Sequence, residues 1–146
     1  MRSLARKALA VVAGFVAASL VMMAVESLNG HVFYPELGSM AQGVTDRETV
    51  RAILANARVG AFVVVIFGWA LGSFVGGFLA ARVGGRSPLV VGAMLGLVLT
   101  LAGIADNLVL PPPAWFWLPS LAVLLPAACV GAALKAARAT RPPARV

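Results

Sequence analysis

Four long apolar runs, separated by short polar breaks, set the pattern of this chain. They cover residues 8–28, 61–81, 89–110 and 114–134. Each matches the roughly 20 apolar residues that a helix needs to cross about 30 Å of hydrocarbon. A membrane β-strand would be half as long and would alternate polar with apolar positions. Runs such as AFVVVIFGWALGSF and LVVGAMLGLVLTLAGI do not alternate, so the pattern predicts helices, whose backbones satisfy their own hydrogen bonds in lipid. One polar stretch, 36–58, breaks the series. Within it Thr45-Asp46-Arg47-Glu48 has the form of a capping box, and Val50, Ile53, Leu54 and Ala57 then fall on one face. A short amphipathic helix is predicted there, between spans one and two, as a connector or as a lid.

Composition agrees with the pattern. Of 146 residues, 61% are hydrophobic and 12% charged, against about 45–50% and about 25% in soluble domains. Too few polar side chains remain to cover a soluble globule, and disorder would need the opposite balance. The fold expected is all-α, a single integral membrane four-helix bundle over residues 1–146. The first run follows Arg2, Arg6 and Lys7 as a signal peptide would, but it is longer than a cleavable apolar core, and Met22 and Met23 are poor cleavage neighbours. It is read as a retained span.

The net charge of +7 refines the topology rather than implying nucleic acid, because the basic residues flank apolar runs instead of spreading over a soluble face. Arg2, Arg6 and Lys7, then Arg82 and Arg86, then Lys135, Arg138, Arg141 and Arg145 all fall on one side of a four-span chain. The positive-inside rule makes that side cytoplasmic, with both termini inside and residues 135–146 forming a basic tail extended by Pro142 and Pro143. The opposite side holds Arg47, Arg51 and Arg58 with Glu36, Asp46 and Glu48. Trp115 and Trp117 are expected at that outer interface. The cytoplasmic (inner) membrane is the location implied, and the lipid bilayer is the first partner.

Small residues predict how the spans meet, since lipid gives apolar helices no reason to associate beyond close packing. Gly68, Gly72, Gly76 and Ala80 repeat every four residues, and Gly92, Gly96, Thr100, Gly103 and Asn107 form a second stripe. With only VGGRSP between them, spans two and three are expected to pair as an antiparallel hairpin through these stripes. A homo-oligomer or larger assembly using part of the glycine surface is the rival reading. Pro119 and Pro126 are expected to kink span four.

The scarce ionisable groups gather at one end. Glu26 closes the first span and Asp106 the third, and Ser27, Asn29, His31, Tyr34 and Asn107 lie nearby. Intramembrane acids nominate a site. On a continuous helix Glu26 and His31 stand about 140° apart, so convergence requires a break at Gly30 or a bridge through Asp106. The plain alternative is a hydrogen-bonded cap at the outer boundary. No metal-ligand pair such as HxxxH, no phosphate loop and no nucleophile with a base is present, and Cys129 is the one cysteine. Neither cofactor, metal nor catalytic residue is therefore expected.

Glu26-x-x-x-Gly30-His31-x-x-Tyr34-Pro35, the Gly68-Trp69-x-x-Gly72-x-x-x-Gly76-Gly77 element and Pro111-x-Pro113-x-Trp115-Phe116 give the chain a resemblance to a group of small, uncharacterised bacterial four-span membrane proteins. The resemblance spans nearly the whole chain, implies the same topology, and nominates Glu26, His31, Tyr34, Asn107 and Trp115. It implies no reaction. Small multidrug transporters share only the size, because they carry their acid inside the first helix, where this chain reads AGFVAASLVM. The function expected is a non-enzymatic accessory or interaction subunit of the membrane. The alternative is a small oligomeric transporter or channel with an outer polar site at Glu26, His31 and Asp106.

Overall fold

A computed structural model describes residues 2–85 and 87–139 of the chain. Arg86, Arg141, Pro142, Pro143 and Arg145 lie outside the described residues. Helix α1 (Arg2–Leu28) runs on through a five-residue π-helical turn, Asn29–Phe33. Two short helices follow, α2 (Pro35–Ala41) and α3 (Arg47–Ala55). Then come α4 (Val59–Gly84), α5 (Pro88–Val109), α6 (Ala114–Ala122) and α7 (Leu124–Ala139). No strand occurs among the described residues.

Four stretches are long and apolar enough to cross a membrane: Leu4–Phe33, Val59–Gly84, Pro88–Val109 and Ala114–Arg138. Three are longer than the apolar runs, because backbone hydrogen bonding continues into the arginine-bearing ends. The first, at 30 residues, is roughly 45 Å long at 1.5 Å per residue. Along α1, Leu9, Val12, Val16, Leu20 and Met23 form an exposed apolar stripe at helical spacing. Such a stripe suits lipid, not water.

The fourth span is interrupted near Pro126. Pro126 has no amide to donate to the Ala122 carbonyl, so α6 and α7 are separate helices meeting at Val123. Val123 keeps right-handed helical angles, φ −79° and ψ −25°, and Ala127 N–H bonds back to its carbonyl at 3.1 Å.

Helices α4 and α5 do pack on one another, as expected of spans two and three, but their glycine stripes mostly face other helices. The stripe on α4 faces α1: an added methyl at Gly68 would meet Val25, at Gly72 the Met22 side chain and the Ala18 carbonyl, and at Gly76 the Gly14 carbonyl. The stripe on α5 faces α7, where Gly92 abuts Ala132 and Gly96 abuts Leu125. Only Gly103 looks toward α4, onto the Trp69 ring. A third close approach seats Gly77 of α4 on Ala128, and Gly131 of α7 on the Phe74 carbonyl. Sequence neighbours α4 and α5 are thus joined less by glycine than by the α1 and α7 helices that flank them.

Two corrections concern the polar connection. It forms two helices, not one. The cap of α3 is Asp46 rather than Thr45: its carboxylate accepts from Thr49 N–H at 2.9 Å and from the Thr49 hydroxyl at 2.7 Å. Asp46 wins because its carboxylate reaches the amide three residues on, the geometry of an N-cap.

The two ends of the bundle differ in charge. At one, Arg6 Nε–H donates to the Val83 carbonyl at 2.8 Å, and Arg82, Lys135 and Arg138 line a common hollow. At the other, Glu26 and Asp106 meet. The core between them is built from Ala10, Ala18, Ala80, Val91, Leu95 and Leu124, all nearly or fully buried.

Candidate functional site

A π turn closes the first span at the acidic end. Tyr34 N–H reaches back five residues to the Asn29 carbonyl at 2.8 Å, and a wider turn of this kind shifts the helical register by one position. Asn29, three residues after Glu26 and on the same helix face, looks into the bundle with 6% of its surface exposed, and its Nδ2 donates to the Ala61 carbonyl at 3.0 Å. Its Oδ1 is buried and has no hydrogen-bond partner within the described residues. Such an oxygen is an acceptor waiting for a donor. His31 turns outward, its Nδ1 paired with the Ser27 carbonyl at 2.8 Å. It borders a separate hollow with Gly30, Pro35 and Gly38. The Tyr34 ring packs against Gly60. Of the six nominated residues, Glu26, Asn29, Asp106 and Asn107 line one cavity, while His31 and Tyr34 do not.

That cavity holds about 270 Å³ between the ends of α1, α4, α5 and α6. Phe62, Trp69 and Phe116 wall one side, and the apolar face of α3, with Val50, Ile53 and Leu54, covers it together with Leu37 of α2. A second hollow of about 200 Å³ shares Glu26, Trp69 and Asp106 and continues between α1 and α5 down to Phe15, Ser19 and Leu99. Together they form a chamber with an apolar cleft leading away from its two acids.

Three of the four polar groups in the chamber, Glu26, Asn29 and Asn107, are held by a neighbouring element. Trp69 donates its indole N–H to Glu26 Oε1 at 3.0 Å, fixing one carboxylate oxygen and leaving the other open. Asp106 is near enough for the two charges to interact. Asn107, 2% exposed, donates to Ser120 Oγ at 3.4 Å, and the Ser120 hydroxyl donates to the Trp117 carbonyl at 3.1 Å.

The aromatic wall is the part that sequence reading missed. Phe62 packs on Phe116 at 5.3 Å and edge-on to Trp115 at 5.6 Å, and Trp69 meets Phe116 at 6.0 Å. Trp115 itself is half-exposed, and Trp117 borders a shallow groove with Leu118 and Leu121. A signal was present: Phe62 and Trp69 are seven residues apart, two turns along one face of α4.

Among the described residues no group of three or more His, Cys, Asp or Glu side chains is placed to hold a metal ion. No protein-family model, curated protein or solved structure matches the chain.

Proposed function

We propose that this chain is a non-enzymatic multi-pass protein of the cytoplasmic membrane, with both termini inside, that serves as a binding subunit for a small amphiphile with a positively charged head. One observation carries the reading: Glu26 and Asp106, from two different helices, stand where an aromatic-walled chamber meets a cleft between α1 and α5. A protonated amine fits against the two carboxylates and donates to the free Asn29 Oδ1, while its hydrocarbon tail follows the cleft past Met22 and Leu99. The aromatic wall adds cation–π attraction. Orientation follows from the positive-inside rule applied to Arg6, Arg82, Lys135 and Arg138. The likeness to small four-span bacterial proteins belongs to the same reading, as does assembly into an oligomer or larger complex that would receive the ligand.

Transport is the second reading, and the same two acids favour it. Between the chamber and the basic end the bundle is closed by packing: Ala10, Ala18, Ala80, Val91 and Leu95 are fully buried there. Passage therefore demands that α1 part from α4.

Protein in nanodiscs, titrated with dodecylamine and with uncharged dodecanol and read by native mass spectrometry, tests the binding reading. The amine is expected to bind one per chain and the alcohol weakly. Glu26→Gln with Asp106→Asn should weaken amine binding at least about tenfold, since hydrogen bonds to charged groups contribute about 1.5–3 kcal/mol each. Equal binding of both probes, or no effect of the substitutions, rejects the proposal. Amine flux into proteoliposomes would move the conclusion to transport.

A further inference from the structure

The end of the bundle opposite the chamber carries an arrangement that amine binding does not use. Phe78 of α4 has two guanidinium groups against its ring: that of Arg82, one turn on in the same helix, at 5.6 Å, and that of Arg138, from α7, at 5.5 Å from the ring centroid. Lys135, one turn before Arg138, completes a hollow of about 340 Å³ lined by these four residues. All five acids of the chain lie elsewhere: two at the chamber, and Glu36, Asp46 and Glu48 in the connection between α1 and α4. Among the described residues no carboxylate pairs with Arg82, Lys135 or Arg138, the only ion pair there being Arg58 with Glu36.

Three like charges from two helices have been brought to one hollow and, among the described residues, left without a counter-charge. The Phe78 ring orients both guanidiniums, which lowers the entropy lost when they grip an anion. Guanidinium forks match the paired oxygens of a phosphate, and lysine supplies a third, point-like charge. The hollow lies at the ends of two membrane spans, where headgroups reside, and basic pockets between spans are known headgroup sites. We propose that Phe78, Arg82, Lys135 and Arg138 form a stoichiometric site for the phosphodiester headgroup of an anionic phospholipid.

A site differs from a general positive anchor in what it requires. An anchor responds to the number of charges, and lysine replaces arginine without loss. This site requires the planar forks and the ring that orients them. The test is native mass spectrometry of the full chain released from phosphatidylglycerol–phosphatidylcholine nanodiscs, with the retained lipids identified. The wild type is expected to keep one phosphatidylglycerol per chain and no preferred phosphatidylcholine. Arg82→Lys with Arg138→Lys, which leaves the net charge unchanged, should reduce that retention at least about tenfold through loss of bidentate contacts. Phe78→Leu should reduce it in the same direction, and Arg138→Gln alone, at an exposed position, guards against a folding defect in the others. Undiminished retention in the double lysine variant, or in Phe78→Leu, overturns the site. Thermal stabilisation by inorganic phosphate, with none from phosphatidylglycerol, overturns the lipid assignment.

Discussion

Asp46 is the clearest case of a single side chain setting local structure. It accepts from the Thr49 hydroxyl and the Thr49 amide, and these bonds, the hydroxyl first, hold its carboxyl below its ordinary value of 3.8. A depressed carboxyl contributes stability that is present above the unfolded value and lost as pH falls through the folded one. Helix α3 should therefore keep its first turn above about pH 4 and fray below it, seen as faster hydrogen exchange at Glu48 and Thr49. Asp46→Asn, which caps without ionising, should remove that pH dependence, and Asp46→Ala should fray the turn at every pH. The chamber offers a second test at this scale. Trp69→Phe deletes the indole N–H that pins Glu26 Oε1 while keeping an aromatic face. Amine affinity should change less than on Glu26→Gln, because the charge stays and only its orientation is freed.

Among the elements, the glycine contacts differ sharply in what a methyl would meet. At Gly77 it would run into the Ala128 backbone of α7. Gly77→Ala should cost about 1–3 kcal/mol, as overpacking does, despite alanine's better helix propensity. At Gly30 it would meet only the Gly38 Cα at 3.6 Å, an ordinary contact. Gly30→Ala should stay within about 0.5 kcal/mol; melting in mild detergent compares the two. These contacts also explain how far the sequence could be read. The four spans were legible because lipid imposes composition along their whole length. Their ends were not, since a helix needs no apolar residues to continue past the hydrocarbon. The stripes at Gly68 to Gly76 and Gly92 to Gly103 were legible as flat faces, but a glycine row carries no address. What receives it is a set of ordinary residues, Val25, Met22 and Ala18 for one and Leu125 and Ala132 for the other. Likewise the joining of Glu26 to Asp106 followed from span ends. The exclusion of His31 was legible too, in its offset of about 140° from Glu26; the unpartnered Asn29 Oδ1 was not, because burial depends on neighbouring helices.

For the molecule as a whole, charge is polarised along the bundle axis, with Arg6, Arg82, Lys135 and Arg138 unopposed by any acid at one end, and all five acids set against Arg47, Arg51 and Arg58 at the other. Orientation in the membrane is thereby open to direct measurement. In a Cys129→Ser background, Gln42→Cys should react with an impermeant maleimide added to intact cells, and Ala137→Cys should react only after permeabilisation. The reverse labelling would put the chamber on the cytoplasmic side and overturn the proposed orientation.

The pairing of α1 with α4, and of both α4 and α5 with α7, has a consequence for biosynthesis. Helix α1 finds its glycine-mediated partner in the next span, α4, but α4 and α5 each keep a glycine face for the last span. The Gly77 face of α4 and the Gly92–Gly96 face of α5 stay bare until α7 arrives, so nascent chains must wait in the bilayer half-assembled. Products ending before Leu124 should be recognised as orphans and degraded quickly in a pulse-chase, although three of the four spans are already inserted.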